Sequence, residues 1–290
     1  MPYLLIALSN VLAGSTYVVT AVALKGFPEL DLMLLRMLVC AALFFPLLWR
    51  ARRRLAAASR GDWARLAAVG VFGYALPLAL GTYGLKMSNA TSASLLVGME
   101  PVAIVLLSAV FLAEGLTPMK IASLIFGLTG AMLIAFQGPP DFSGVASTRL
   151  KGDALLALHG VCWALYSVIG KSAMKRVDPI DFTAATNMIG TLGVVVWTAG
   201  GVAPSAWPSA PASAWLAMLY LAAIGGFVAT MLWNTALRKV EASKVANFIF
   251  LQPVVGVLLG VFLQGDPFTG WSMAGGALVL TGMWAASRGG

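Results

Sequence analysis

The strongest constraint in this sequence is the length of its stretches without Asp, Glu, Lys or Arg, such as 2–24 and 182–237. A helix that crosses a bilayer needs about 20 mostly apolar residues, and both stretches are that long. Of the 290 residues, 60% are hydrophobic and 10% are charged, whereas soluble domains average about 25% charged residues. These features predict a polytopic membrane protein and exclude a soluble enzyme, a disordered chain and a secreted disulfide scaffold.

The apolar stretches predict helices, because lipid-exposed backbone groups are too costly in any structure except helices or a closed barrel. The Pro- and Ser-rich segment 202–213 divides the longest stretch, and Glu100 interrupts another without ending it. The predicted fold class is an all-α membrane protein with ten transmembrane helices, and the first apolar run is a retained helix, not a signal peptide. The predicted bounds are 2–24, 31–50, 63–85, 91–112, 118–136, 152–174, 180–200, 213–236, 243–263 and 267–286.

The basic residues are distributed unequally between alternate loops. Of the 19 Lys and Arg residues, fourteen fall on the side of the N-terminus and five on the opposite side. Those five are Lys25, Arg36, Lys86, Arg149 and Lys151. Such a bias in short loops predicts that both termini are cytoplasmic. The net charge of +8 then reflects orientation and not nucleic-acid binding, and the run Arg50–Arg54 is a topology anchor or, alternatively, a lipid-headgroup site.

The two halves of the chain resemble each other. An offset of 152 residues places Pro101 on Pro253, and an offset of 150 places Asp31 on Asp181. Each half holds five predicted helices, and an odd number inverts the second half, as in many secondary transporters with a site at the midplane between the halves. The predicted division is a first repeat at 1–138, a connecting loop at 139–150 and a second, inverted repeat at 151–290.

Each half has five predicted helices, with a proline in the fourth, an acid at the end of the fourth and a Gly-rich last helix. This pattern resembles the EamA family of the drug/metabolite transporter (DMT) superfamily. The chain also carries residues similar to those of YddG-type bacterial amino-acid exporters, namely Gly160-x-x-Trp163-x-x-Tyr166, Tyr74 and Trp233-Asn234. The resemblance implies an exporter of small organic metabolites, most of all amino acids, in the bacterial inner membrane. Glu100, before Pro101, departs from the family pattern and leaves the coupling mechanism open.

One face of the sixth predicted helix carries His159, Trp163, Tyr166 and Gly170, spaced i, i+4, i+7 and i+11. These side chains form either a cavity wall that encloses a substrate or a helix-packing surface. The expected cavity is lined by helices 1, 3, 4, 6, 8 and 9 and works by alternating access. The glycines around Tyr74 in the third helix predict a close helix–helix seam, while Tyr74 itself faces either the cavity or the seam.

An acid inside a span is costly and is a functional hypothesis by default, so Glu100 is a candidate for proton coupling or a buried structural acid. Pro101 and Pro253 bend their helices, as hinges or as packing elements. Buried amides line the cavity or bridge helices. The candidate substrate-binding residues are Trp163, Tyr166, His159, Tyr74, Trp233, Asn234, Gln252 and Asn247, and the candidate coupling or hinge residues are Glu100, Pro101 and Pro253.

Catalytic motifs are missing from the sequence, including His-Glu-x-x-His, Gly-x-Ser-x-Gly and a Walker A loop, so we expect no enzyme. One histidine and two cysteines are too few for a metal cluster, and no cofactor is expected. The expected partners are the lipid bilayer, a small-molecule substrate and, as candidate coupling ion, the proton, with the protein a monomer. The alternatives are a multidrug exporter of organic cations, with Glu100 as counter-charge, and an uncoupled facilitator or channel.

Overall fold

The computed structural model describes residues 2–87, 98–136, 147–264 and 269–288, which form helices and turns without any β-strand. We label the continuous helical stretches of these residues α1 to α10. They are α1 (Pro2–Ala23), α2 (Glu29–Ala56), α3 (60–87), α4 (Met99–Phe111), α5 (Pro118–Phe136), α6 (Ser147–Ala173), α7 (Pro179–Thr198), α8 (Ala212–Leu237), α9 (242–264) and α10 (Gly270–Arg288).

Seven helices of the described residues are long and apolar enough to cross a membrane. They are Pro2–Ala23, Glu29–Ala56, Arg60–Gly84, Leu150–Ala173, Pro179–Thr198, Ala212–Leu237 and Ala242–Phe262. Met99–Phe111 and Pro118–Ile134 are shorter apolar helices. An all-helical, multi-pass membrane protein is therefore confirmed, whereas 91–97 of the predicted fourth span and most of the predicted connecting loop lie outside the described residues.

Several helices extend beyond their predicted bounds. α2 continues six residues past the predicted end at 50 and ends at Ala56, and α3 begins at Arg60 instead of 63. Charge-free stretches mark the part of a helix that suits lipid, whereas the helix itself ends where its terminal backbone groups find partners. At the start of α3, the Ser59 hydroxyl accepts a hydrogen bond from the Asp62 amide at 3.1 Å.

Three helices depart from α-helical geometry where the sequence predicts continuous helices. π-Helical turns occupy Val71–Ala75 in α3, Leu221–Ala229 in α8 and Gly260–Gln264 in α9. A 3-10 turn at Asn247–Phe250 adds a further irregularity to α9. The π-turns of α3 and α8 begin 150 residues apart, which is the offset that aligns Asp31 with Asp181. π-Turns occur often at functional sites.

Most of the extensive helix contacts recur when each helix is exchanged for the one five places away. α1 packs on α8 and α9, and α6 packs on α3 and α4. α2 packs on α7, and α5 packs on α10, so each of these helices meets its own counterpart. The exceptions among the described residues include the contacts of α9 with α5 and α10, which have no comparable counterpart at α4.

Glycines set the distance between α5 and α10. A Cβ atom on Gly130 would lie 2.5 Å from the Gly275 carbonyl oxygen, and a Cβ atom on Gly275 would lie 2.5 Å from the Gly130 carbonyl oxygen. A Cβ atom on Gly282 would lie 2.8 Å from the Ser123 carbonyl oxygen. Only glycine fits at these positions without a backbone shift, because backbone atoms cannot rotate away as a side chain does.

Two buried acids fasten the ends of the bundle in related ways. Asp31, in the first turn of α2, accepts hydrogen bonds from the Ala203 amide at 3.0 Å and the Trp207 indole at 2.5 Å. Asp181, in the first turn of α7, pairs in a bidentate manner with Arg54 at 2.7 and 2.8 Å. Asp31 thus connects the start of α2 to the segment just beyond the end of α7, and Asp181 connects the start of α7 to the last turn of α2.

Candidate functional site

Four aromatic rings from α3 and α6 form one cluster in the interior of the bundle. The Trp163 ring lies 5.5 Å from both the Tyr74 and the Tyr166 rings, measured between centroids. The His159 ring lies 6.3 Å from Trp163 in an edge-on arrangement. Tyr74 and Tyr166 are buried, whereas His159 and Trp163 are half-buried. The structure therefore brings four of the predicted binding residues together.

The rings meet because α3 presents glycines to α6. A Cβ atom on Gly73 would lie 2.9 Å from the Tyr166 Cβ atom, and one on Gly81 would lie 2.9 Å from His159 Nδ1. His159 Nδ1 also lies 2.6 Å from the Pro77 carbonyl oxygen, a geometry in which a protonated Nδ1 donates. The predicted glycine seam is confirmed, and in this conformation the rings of α6 pack against α3.

A buried amide on α8 completes the cluster. Asn234 donates hydrogen bonds to the Tyr166 hydroxyl at 2.7 Å and the Thr183 hydroxyl at 2.9 Å. Its side-chain oxygen is buried and has no hydrogen-bond partner among the described residues. An unpaired buried acceptor costs about 1–3 kcal/mol, so this oxygen is a candidate acceptor for a hydrogen-bond donor.

Asn187 extends the polar surface along α7. It lies one turn beyond Thr183, on the same helix face, and donates to Cys40 Sγ at 3.4 Å. Its amide oxygen is also buried and unpartnered within the described part of the chain. Thr183 is not among the sequence candidates, although its i, i+4 spacing with the buried amide at Asn187 is a usable signal.

The remaining predicted amides lie on α9. Gln252 donates to the Asn10 side-chain oxygen on α1 at 2.9 Å, and Asn10 is not a sequence candidate. Asn247 donates to the Ser243 carbonyl at 3.1 Å, and its buried oxygen has no partner in the described ranges. Trp233, next to Asn234, is half-buried against the main apolar core. The predicted residues thus lie in two regions, one on α3, α6 and α8 and the other on α9, where Gln252 reaches Asn10 of α1.

The coupling candidates lie at equivalent points of α4 and α9. Pro101 is the third residue of the helix Met99–Phe111, and Pro253 is the third residue of Leu251–Leu259. Glu100 is half-buried in the first turn of α4. A proline is accepted in a first helical turn, where its missing N–H has no intrahelical partner. For α9, the 3-10 turn at 247–250 precedes this segment, so Pro253 lies where the helix changes geometry.

A pocket of about 170 Å³ opens beside the aromatic cluster, between α2, α3 and α7. Ala75, next to Tyr74, lines it together with Met33 and Val194. Its rim includes Phe72 and Trp197, which are 58% and 50% exposed. This pocket faces outward from the bundle and is not the central cavity predicted from helices 1, 3, 4, 6, 8 and 9.

A second polar cluster joins the ends of several helices. Glu114, in the turn between α4 and α5, accepts hydrogen bonds from the Ala242 amide at 2.7 Å, the Ser243 amide at 2.9 Å and the Ser243 hydroxyl at 2.6 Å. The Lys171 ammonium lies 3.5 Å from the carboxylate. Burial by itself raises the pKa of Glu114, but the hydrogen bonds from Ser243 and Ala242 outweigh it, and the pKa falls below its ordinary value.

The sequence of the EamA-like transporter family matches residues 1–136 and 150–288. The chain belongs to this family. The family and its named relatives are transporters, which favours a transporter of small molecules over an enzyme. Within the described residues, no group of three or more His, Cys, Asp and Glu side chains lies in an arrangement that suits a metal ion.

Individual relatives agree with the family. The chain is 28% identical to "Uncharacterized transporter YyaM" of Bacillus subtilis over 77% of this chain and 71% of that protein. It is 25% identical to the "Probable terminal-alkyne amino-acid exporter" of Streptantibioticus cattleyicolor over 78% of this chain and 74% of the exporter. A crystal structure superposes with a TM-score of 0.83 at 21% identity, over 99% of this chain and 96% of the other. That superposition supports the fold.

Proposed function

We propose that this protein is a secondary transporter that moves amino acids, neutral or aromatic, out of the cell by alternating access. It is a monomer of ten transmembrane helices in two inverted repeats, 1–138 and 151–290, with the connecting loop 139–150 between them. It lies in the bacterial inner membrane with both termini in the cytoplasm. These statements are more specific than the family assignment.

The inverted repeat is supported by features that recur at offsets of 150 or 152 residues. Three pairs of features occupy corresponding places in the two halves. They are the π-turns of α3 and α8, the buried acids Asp31 and Asp181, and the prolines Pro101 and Pro253. The helix contacts that recur between the halves agree with the same relation. Two equivalent but inverted halves give a natural basis for exposing one midplane site to each side in turn.

The observation that carries the substrate proposal is the unpartnered oxygen of Asn234 beside three aromatic rings. The Asn234 side-chain oxygen can accept a hydrogen bond, and the ammonium group of an amino acid is a strong hydrogen-bond donor. The rings of Trp163, Tyr74 and Tyr166 supply an apolar and polarisable wall for the remainder of the molecule. One relative is named as an amino-acid exporter.

The test is uptake of labelled amino acids into liposomes that contain the purified protein, with and without a proton gradient. We expect the unaltered protein to show saturable uptake with counterflow, which a channel lacks. Uptake by Trp163→Ala is expected to fall by about tenfold or more, because a ring that contacts substrate is removed. Trp197→Ala is the matched control, since Trp197 is 50% exposed. Equal losses in both variants, or uptake no greater than in empty liposomes, would contradict the proposal.

Proton coupling is assigned to Glu100, with Pro101 and Pro253, each the third residue of its helical segment, as hinge positions. A carboxylic acid in a span can take up and release a proton as its surroundings change between conformations. Glu100→Gln is therefore expected to transport without dependence on the proton gradient, while Glu241→Gln, at an exposed position, retains it. Gradient dependence that persists in Glu100→Gln would remove Glu100 from the mechanism.

A second candidate function is export of organic cations, favoured by the carboxylate of Glu100 inside an apolar bundle. In that case cationic dyes bind the purified protein and compete with one another, and Glu100→Gln abolishes their binding. Amino acids then show no saturable uptake in the liposome assay. The two functions are therefore distinguished by which ligand class is transported in the same preparation.

A further inference from the structure

The exposed side of α2 combines aromatic and basic groups at the end of the helix. Phe45 and Trp49 are 54% and 58% exposed, and their rings are stacked with centroids 6.3 Å apart. The Arg52 guanidinium lies 4.4 Å above the Trp49 ring and donates to the Trp49 carbonyl oxygen at 2.8 Å. Phe45, Pro46, Trp49 and Arg50 line an open pocket of about 430 Å³.

The length of α2 places this pocket at the boundary between lipid tails and headgroups. A helix of 28 residues is about 42 Å long at 1.5 Å per residue, whereas the hydrocarbon layer is about 30 Å thick. The arginine-bearing turns that end at Ala56 therefore extend beyond the hydrocarbon. Phe45 and Pro46 lie one to two turns nearer the bilayer centre, at the level of acyl chains.

The basic groups of this surface lack acidic partners. Arg50, Arg52 and Arg53 are exposed, and none of them pairs with a carboxylate among residues 2–87, 98–136, 147–264 and 269–288. The nearby acids are engaged elsewhere, because Asp181 pairs with Arg54 and Asp62 pairs with Arg65. The end of α2 therefore presents positive charge without an acidic partner beside an apolar pocket.

We propose that the end of α2 is a binding site for one anionic phospholipid. The phosphate accepts hydrogen bonds from Arg50 and Arg52, and an acyl chain lies in the pocket against Phe45, Pro46 and Trp49. Clusters of basic residues immediately beyond a transmembrane helix attract anionic lipids, and planar guanidinium groups suit phosphate oxygens. The contact of the Arg52 guanidinium with the Trp49 ring favours a position of Arg52 beside the pocket.

The experiment measures lipid retention by native mass spectrometry of the purified, detergent-solubilised protein. Phosphatidylglycerol and phosphatidylcholine with identical acyl chains are titrated separately. We expect preferential retention of one phosphatidylglycerol and a loss of about tenfold in affinity for Arg50→Gln with Arg52→Gln, since both phosphate donors are removed. The control is Arg60→Gln with Lys239→Gln, which removes the same charge from exposed positions elsewhere and is expected to retain the preference.

Two results would overturn the proposal. An equal loss in the test and control variants would show diffuse attraction to net charge, and equal retention of the two lipids by the unaltered protein would show no anion site. Glycerol 3-phosphate is added as a competitor, and we expect it to bind much more weakly than phosphatidylglycerol, because it lacks the acyl chains; equal affinity of the two would contradict the acyl-chain contact. Single variants Arg50→Gln and Trp49→Ala repeat the measurement, with gel filtration as the check on folding.

Discussion

Two seams in this protein, α5 on α10 and α3 on α6, both depend on glycine, but the glycines face different neighbours. In the first, Gly130 and Gly275 face each other's carbonyl oxygen. In the second, Gly73 and Gly81 face the large side chains of Tyr166 and His159. Where two glycines face each other, the helices pack closely and no polar side chain lies between them. Where a glycine faces a polar ring, that ring lies in the interior of the bundle, beside buried amides. The same residue signal therefore marks a structural contact in one place and a candidate binding site in the other.

The largest expected effect tests the first seam with two adjacent glycines of α10. Gly275→Ala is expected to lower the free energy of unfolding by about 2–3 kcal/mol, because its Cβ atom would overlap the Gly130 carbonyl. Gly276→Ala meets open space and is expected to raise it by about 0.5–1 kcal/mol, since alanine suits a helix interior better than glycine. Unfolding of both variants in detergent measures the difference. Similar shifts in the two variants would show that α5 and α10 are not held at this distance.

The second prediction tests whether polar groups at the α3–α6 seam serve transport or stability. The double variant Asn234→Leu with Tyr166→Phe removes both members of a hydrogen-bonded pair, which can be nearly neutral for stability. We expect transport to fall by about tenfold, the equivalent of one strong hydrogen bond to substrate, with little change in the unfolding midpoint. Ser123→Ala, on the α5–α10 seam, is the control and retains transport. A large loss of stability with normal transport in the double variant would assign the pair to packing.

The third prediction concerns Glu114. Its carboxylate oxygens accept hydrogen bonds from Ala242 and Ser243, whereas the side-chain oxygen of Asn234 has no hydrogen-bond partner among the described residues. The pKa of Glu114 is lower in the folded protein than its ordinary value of 4.5, so its contribution is complete above that value and is lost as the pH falls through the lower one. Glu114→Gln is expected to cost about 1 kcal/mol near pH 7, with the difference from the unaltered protein shrinking below pH of about 4. Unfolding at several pH values measures it, and Lys239→Gln, at an exposed position, is expected to show almost no difference. A constant difference down to pH of about 3 would contradict the role of ionised Glu114.

Much of the fold is predictable from the sequence, because lipid imposes one simple requirement on every span. The long charge-free stretches predict a helical, multi-pass membrane protein, and the match to the transporter family and the apolar helices confirm it. Helix ends are less predictable, since α2 extends to Ala56 and α3 begins at the Ser59 cap. The π-turns of α3, α8 and α9 were not predicted, because hydrophobicity and charge do not distinguish a π-turn from an α-helical turn.

The candidate site was predictable in part. The helical spacing of His159, Trp163 and Tyr166 predicts that they share a face, and the structure brings them together with Tyr74. The sequence does not show that Asn234 donates to Tyr166 from a helix 68 positions away along the chain. The contact between Gln252 and Asn10 joins residues 242 positions apart, and such pairs are decided by how the helices fold onto one another.

The sequence by itself determined the class of this protein, its family and the face of α6 that carries the aromatic residues. These follow from hydrophobicity, charge and the 3.6-residue period of a helix, which act locally and can be read along the chain. Only the tertiary structure decided which rings meet, which amide oxygens stay unpaired and which glycines are enclosed. The physical reason is that burial and hydrogen bonding depend on distances between separate helices, and side-chain packing across their interfaces fixes those distances.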